Sequence, residues 1–471
     1  MKFKVSVSHL IFVLSFLFFA SITHTHVFLA GNDASRFAHI ESLVDSGVSY
    51  IDQSEYKWTK DKVTINGHDY SNKPPLLGVI GAGIYLVLKN IFGIQFEKNE
   101  GLTVYWLTLI FIGGTTSLLV AQFYMVLGIY KNINFQIRLL TTLALLFGTI
   151  ITTFSTTFNN HTIAASLIFL AICLARSGLT YWTGAFIGLA FCVDIIPGLI
   201  FIPLVSLVLY DLKKNRGLVE FYFVIVMSAL VFSCVNYITV GHILPPKFVP
   251  GGYDKSSSFS SSIFGVLLPE DYLYPIQCLF GWHGFFTVSP VLFYGLAGLG
   301  KVYKEGILFP RKWMIVLMGT CSIFVLGHIL FVGSFGGWSY GFRYLIPIIP
   351  ILIFFIPAVL NKGNINTFKV ILVVSILFAF IGVYNPWPPG FEQNKGSREI
   401  DSMVINPIAS NLTAFMVEHL PNFSLTRKMV TMFISPTLSK SNQYFMYYYY
   451  SKGDKKMTLK YMKLQKLRNE T

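Results

Sequence analysis

Apolar runs alternate with short polar stretches along most of the chain. The runs fall near 9–29, 103–127, 138–157, 162–176, 180–194, 196–211, 219–240, 284–303, 313–332, 344–361 and 367–385. Runs of roughly 18 residues or more predict membrane-spanning helices. A backbone in lipid must satisfy its polar groups internally, so helices are expected throughout. The pattern predicts an all-α fold, a polytopic transmembrane helical bundle of about 11 spans. One further run, 75–94, is apolar but interrupted by Gly78, Gly81 and Gly83.

Charge decides how that extra run is read. Lys2 and Lys4 place the N-terminus inside, and the apolar stretch behind them reads as an uncleaved first span. If 75–94 does not cross, the loops carrying Lys131, Arg138, Arg176, Lys213, Lys301, Lys312 and Lys362 all fall inside. If it crosses, they all fall outside, against the positive-inside rule. The run is therefore expected to lie along, or dip into, the outer surface. Pro74 and Pro75 suit the start of a helix there, and Lys73 falls at headgroup level. Composition agrees with a membrane protein: 54% of residues are hydrophobic, 12% are charged and mean hydropathy is +0.60. The net charge of +14 sits mostly in short loops and the tail, so nucleic acid is not an expected partner. Five scattered cysteines form no CxxC pair and suggest neither a disulfide framework nor a zinc site.

The topology divides the chain into a membrane domain, 1–385, and an outer-face region, 386–471. It also gathers the polar candidates on one face. The first outer loop, 30–74, opens with "AGNDASRFAHIESLVDSG". Phe37, Ile40, Leu43 and Val44 give it one apolar face, as in an amphipathic helix on the outer leaflet that ends at Gly47. Asp33 is either a cap of this helix or a general base in a water-poor pocket. Lys73 either snorkels or binds a lipid phosphate. In "FNNHT", Asn160 and His161 can position a sugar hydroxyl or serve a structural turn. Asp194, deep in an apolar run before Pro197, marks either a functional group or a helix break. In "GSFGGWSYGFRYLIPIIP", Trp338, Tyr340 and Tyr344 suit an interface belt or a sugar platform. Arg343 on the outer side has no topological reason and favours an anionic partner. The outer loop 241–283 adds Lys247, Lys255 and His283. No P-loop, GxGxxG or GxSxG is present, so no nucleotide site is expected on the inner face.

Taken in order, these motifs resemble the GT-C membrane glycosyltransferases, in particular the aminoarabinose transferase and protein O-mannosyltransferase family. Asp33-Ala34-Ser35-Arg36-Phe37-Ala38 stands where that family has an Asp-Glu-x-Arg-Tyr-Ala-like stretch. Lys73-Pro74-Pro75-Leu76 matches its Lys-Pro-Pro-Leu-like stretch before a juxtamembrane helix. Asn160-His161 occupy its second polar site, and "FFTVSPVLFYG" and "GGWSYGFRYLIPIIP" look like bacterial members. The likeness spans most of 9–350.

The resemblance implies a GT-C-type bundle with juxtamembrane helices on the outer face of a bacterial inner membrane, facing the periplasm. It implies inverting transfer of a sugar from a polyprenyl-phosphate donor to lipid A, another surface glycan or a protein. Asp33 would be the base; Lys73, Arg36 and Arg343 would bind donor phosphate; Asn160, His161, Asp194, Trp338 and Tyr344 would bind substrate. Ala34 replaces the family's Glu, and Asn160-His161 replace its later acidic residue, so His161 or Asp194 would contribute. Dependence on a divalent metal stays open. Two other readings remain: a lipid-linked glycan flippase, which needs polar residues across the midplane, and a ligase that joins a polymer to lipid A.

Overall fold

The computed structural model describes residues 6–28, 32–131, 133–249, 274–331, 339–388, 406–434 and 438–469. Trp338, Lys255 and most of the loop 241–283 lie outside them.

A helix stands at each predicted run, but the boundaries shift. α1 (Val7–Ile22) ends seven residues earlier than its run, because Thr23 turns extended. α1 packs into the body: Tyr105 donates to the Ala20 carbonyl at 2.8 Å. α2 (Asn32–Glu41) continues into a π turn, Ser42–Ser46, closed by Gly47 in the left-handed region (φ 68°). α2 does not expose one face as a helix lying on lipid would. Every residue from Asp33 to Glu41 is buried, polar ones included. The cover is a β-hairpin, β1 (Lys62–Ile65) and β2 (His68–Ser71), a small exception to an all-α fold. Asn66 and Gly67 both take positive φ, as a two-residue hairpin turn demands.

α3 (Pro75–Phe92) starts at Pro75 and runs beside α2. Gly78 lets it approach: a Cβ there would lie 2.3 Å from His39 Nδ1. At its far end Lys89 pairs with Asp45 at 2.7 Å. α4 (Phe96–Thr108) and α5 (Gly114–Val126) join through a π turn into one long stretch. α6 (Phe135–Phe147) and α7 (Ile150–Phe154) break the expected 138–157 span at Gly148 and Thr149. α8 (His161–Arg176) and α9 (Thr180–Val193) follow. Asp194, extended (φ −145°, ψ 100°), separates α9 from α10 (Ile195–Ile200).

α11 (Ile202–Val240) is a hairpin rather than a rod. Lys214 takes φ 55°, and the Ser206 and Tyr222 hydroxyls meet at 2.9 Å. Sixteen residues of straight helix would hold those side chains about 24 Å apart. The two legs match the runs 196–211 and 219–240. α12 (Tyr274–Phe280), α13 (Leu292–Glu305), α14 (Arg311–Phe331), α15 (Ile349–Phe354) and α16 (Ile365–Tyr384) complete the bundle. The prolines of "RYLIPIIP" tighten Arg343–Ile348 into a 3-10 turn ahead of α15.

Among the described residues five helical stretches are long and apolar enough to cross a membrane: Pro75–Phe92, Phe96–Ile129, Ile195–Val240, Arg311–Leu330 and Ile365–Tyr384. Large apolar side chains such as Val219, Phe223 and Ile238 face outward on α11, as they would toward lipid. The architecture is that of a helical membrane protein.

After α16 come α17 (Pro407–His419), α18 (Ser424–Phe433), α19 (Leu438–Lys452) and α20 (Lys455–Asn469). Tyr444, Phe445, Tyr448, Tyr449 and Tyr461 pack there as a separate aromatic core. This region holds the exit of α1. His24 Nε2 lies 2.9 Å from the Val383 carbonyl oxygen on α16. Gly453 (φ 82°) sits so close to Val27 that a Cβ would be 2.6 Å from the Val27 carbonyl oxygen.

Candidate functional site

α2 carries Asp33 and Arg36 one turn apart on its buried side. Asp33 lies in the first turn rather than at a cap, and its nearest backbone donor is the N–H of Phe158, from another element. Asp33 Oδ1 is buried with no hydrogen-bond partner. Burial raises this carboxyl to about 7, against the pull of Arg36, the Phe158 N–H, Arg343 and Lys73. The capping reading is not what the fold shows.

Arg36 is 3% exposed and reaches across to the second polar site. Its Nη2 donates to Asn160 Oδ1 at 2.6 Å, and its Nη1 to the Asn32 carbonyl at 3.2 Å. Burial brings it down to about 10, so it stays charged at neutral pH. Asn159 holds the turn that presents Asn160 and His161. Its Oδ1 accepts from Thr162 N at 3.1 Å and so caps α8. His161 Nδ1 meets Asp194 Oδ2 at 2.6 Å. Asp194 is thus both a helix break and a member of the site: leaving the helix aims its carboxylate at His161.

The hairpin delivers the next pair. Its two ends sit together, with Asn72 N donating to the Asp61 carbonyl at 3.2 Å. Ser35 on α2 donates to that same carbonyl at 2.6 Å and lies 2.7 Å from the Ser71 hydroxyl. Asp61 is thereby placed 2.9 Å from Lys73 Nζ. Burial pushes the Asp61 carboxyl up, but Lys73 and Arg343 outweigh it and the net shift is downward. Burial lowers Lys73 to about 8, with Asp61 opposing.

Arg343 completes the group from the other side. It is 6% exposed, and its Nε has no hydrogen-bond partner. The guanidinium lies over two rings, 4.6 Å from Trp387 and 5.2 Å from Tyr344. Tyr344 is itself flanked by His161 at 5.3 Å and His328 at 5.5 Å between ring centres. Tyr340 is structural: fully buried, it donates to the Phe378 carbonyl at 2.7 Å.

Asp33, Arg36, Lys73, Asn160, His161, Asp194, Arg343 and Tyr344 come together here, and Tyr340 does not. Three members, Asp61, His328 and Trp387, were not expected there, and Lys247 was a candidate only through its loop. Asp61 and His328 carry no local signal in the sequence. Lys247 comes from the 3-10 turn Pro246–Phe248; burial lowers it, with Asp194 and Asp61 opposing. Trp387 sits just past α16, held where Tyr340 N donates to the Pro386 carbonyl at 2.9 Å. The Asn66-Gly67 pair was the readable signal: it predicts a hairpin, and the hairpin brings Asp61 to Lys73.

No known family model matches this chain, and no curated protein matches it either. Among the described residues no three His, Cys, Asp or Glu side chains group so as to hold a metal ion. The chemistry of the site is set by its charge. Among the described residues Arg36, Lys73 and Arg343 face Asp33, Asp61 and Asp194, and a positive charge is left in excess when Asp33 is protonated. Buried excess charge of this kind calls for a counter-ion. An anion fits, and a carboxyl near its switching point lies beside it.

Proposed function

We propose that this protein is a glycosyltransferase of GT-C type. It takes a sugar from a polyprenyl-phosphate donor and passes it to a lipid, glycan or protein acceptor. The observation that carries this reading is Asp33, buried, raised to about 7 and unpartnered at Oδ1, among the cations Arg36, Lys73 and Arg343. An acceptor hydroxyl oxygen attacks the anomeric carbon and inverts it. Its proton goes to Asp33, the carbon–oxygen bond to phosphate breaks, and polyprenyl phosphate leaves with the electron pair. Arg36, Lys73 and Arg343 stabilise the charge that grows on the leaving phosphate. Asn160, the His161–Asp194 pair and the Tyr344 ring line the sugar side, and Trp338 would join them.

The bilayer placement follows from the same reading. α2 and α3 lie at the outer surface of a bacterial inner membrane, with the site facing the periplasm. Polar groups along α2 and its π turn, from Asp33 to Asp45, support an interfacial rather than a spanning position for the pair. Clustering of the charges at one place favours an enzyme over a flippase. Lys247, a cation supplied by the 241–283 loop, is the observation that favours the polymer-ligase variant of the reaction.

The test is membrane-lipid mass spectrometry on cells with the native chain or Asp33→Asn at equal expression. Accumulation of a polyprenyl-phosphate sugar, with one surface molecule losing that sugar, is the expected result. Unchanged lipids and glycans would overturn the reading and bring the flippase forward.

A further inference from the structure

A second feature lies at the opposite end of α8 from His161. Fifteen residues along, about 22 Å away by helical rise, Arg176 borders an apolar cavity of about 350 Å³. Its walls come from the junction after α5, from α8, the first leg of α11, α14 and the α15 region; Val126, Phe169, Ile172, Leu204, Leu317 and Phe354 are typical. None of the charged residues of the Asp33 site touches it.

The mouth is basic. The exposed Arg176 guanidinium lies 5.3 Å from the Phe309 ring centre. The Lys213 side chain crosses beside Gly178, where a Cβ would lie 2.5 Å from Lys213 Cε. The acids nearby are already engaged. Asp211 accepts from Lys312 at 2.6 Å and from Trp313 Nε1 at 2.5 Å, and Glu220 pairs with Arg216 at 3.0 Å. Lys213 shares Glu220 with Arg216, and no acid pairs with Arg176 among the described residues, so cations are in surplus here.

We propose that this cavity is a binding site for an anionic membrane phospholipid. One acyl chain fills the apolar space and the headgroup phosphate sits against Arg176 and Lys213. An apolar space of this size, open at the surface of a bundle, fills with whatever apolar matter adjoins it, which in a bilayer is an acyl chain. The basic mouth selects the headgroup, because a guanidinium and an ammonium at one opening match a phosphodiester. The site stands independently of the glycosyl-transfer reading.

The experiment reconstitutes the full chain in nanodiscs doped with phosphatidylglycerol or phosphatidylcholine, each with a diazirine near the acyl terminus. Crosslinked peptides are mapped after illumination. Phosphatidylglycerol is expected to label Phe169–Ser177 and Ile351–Phe355 at least five-fold more than phosphatidylcholine does. Arg176→Glu should abolish that preference, and Ile172→Trp, which fills the cavity, should remove the labelling with either lipid. Ellipticity and size-exclusion profiles identify any variant that fails to fold, and the wild-type map decides alone in that case. Equal labelling by both lipids, or label confined to outward-facing residues such as Val219 and Ile238, would overturn the proposal.

Discussion

Asp33 and Lys73 titrate on either side of a narrow window. Under the proposed transfer Asp33, as the base, must be ionised, which happens as pH rises through about 7, and Lys73, as the phosphate ligand, must be charged, which ends as pH rises through about 8. The expected kcat/KM profile is a bell with its summit between these values. Asp33→Asn should lower turnover by roughly 10²–10⁴-fold, read as donor consumed by purified protein. Stability gives a separate reading. In the unfolded chain Asp33 ionises near 3.8, and in the fold it keeps its proton to about 7. The fold binds more protons across that interval, so its stability is full below 3.8 and falls as pH rises to 7. Asp33→Asn should flatten that slope and raise stability at pH 8, by on the order of 1–4 kcal/mol, seen as a higher melting temperature in detergent. A slope unchanged by the substitution would show that Asp33 is not buried in its neutral form. Arg343 allows a sharper contrast. Arg343→Lys keeps the charge but loses the planar stacking on Trp387 and Tyr344, and should weaken donor binding by about 1–2 kcal/mol, measured as KM.

Among the elements, α13 is held by its small face. A Cβ at Gly298 would lie 1.9 Å from the Phe355 carbonyl oxygen, and one at Gly295 2.5 Å from that of Leu352. Backbone cannot move aside as a side-chain tip can. Gly298→Ala should therefore destabilise the protein by roughly 1–3 kcal/mol. Gly300, on the same helix with open space around it, is the control. Gly300→Ala should stabilise by up to about 1 kcal/mol through helix propensity. Thermal unfolding in detergent compares the pair. Such contrasts also mark what the sequence can reveal. Hydrophobic runs predicted where helices lie, because burial and lipid both demand continuous apolar segments. They also separated 180–194 from 196–211, where Asp194 breaks the helix, but they could not place the early end of α1, since that depends on what the freed backbone meets. Nor could they predict that α2 would be covered on both faces. Its apolar stripe was visible, but the cover is a hairpin folded from a separate segment.

For the whole molecule, the site is a convergence of distant segments: α2, the hairpin end, the α7–α8 turn, the α9–α10 break, the 3-10 turn at Arg343 and the stretch after α16. The sequence exposed those members that break an expectation, such as an arginine on the wrong side or an aspartate in an apolar run. Asp61 and His328 break none and became visible only in three dimensions. The same convergence ties the C-terminal helices to the fold. Deleting 407–469 removes Gly453 from Val27 and uncovers Tyr384, so the truncated chain should extract from membranes in lower yield and lose thermal stability, tested by size-exclusion chromatography.

The contact between Gly453 and Val27 also sets a clock. The stretch leading from α1 toward Asp33 leaves the ribosome early, and its partner is made 426 residues later. At ordinary rates of about 5–20 residues per second, that is a delay of roughly 20–90 s. Through that interval the nascent chain has made its buried aspartate and arginine but lacks the segment that holds their approach in place. The helices after α16 thus act as a latch, and the stretch beside Val27 is held only once they have been made.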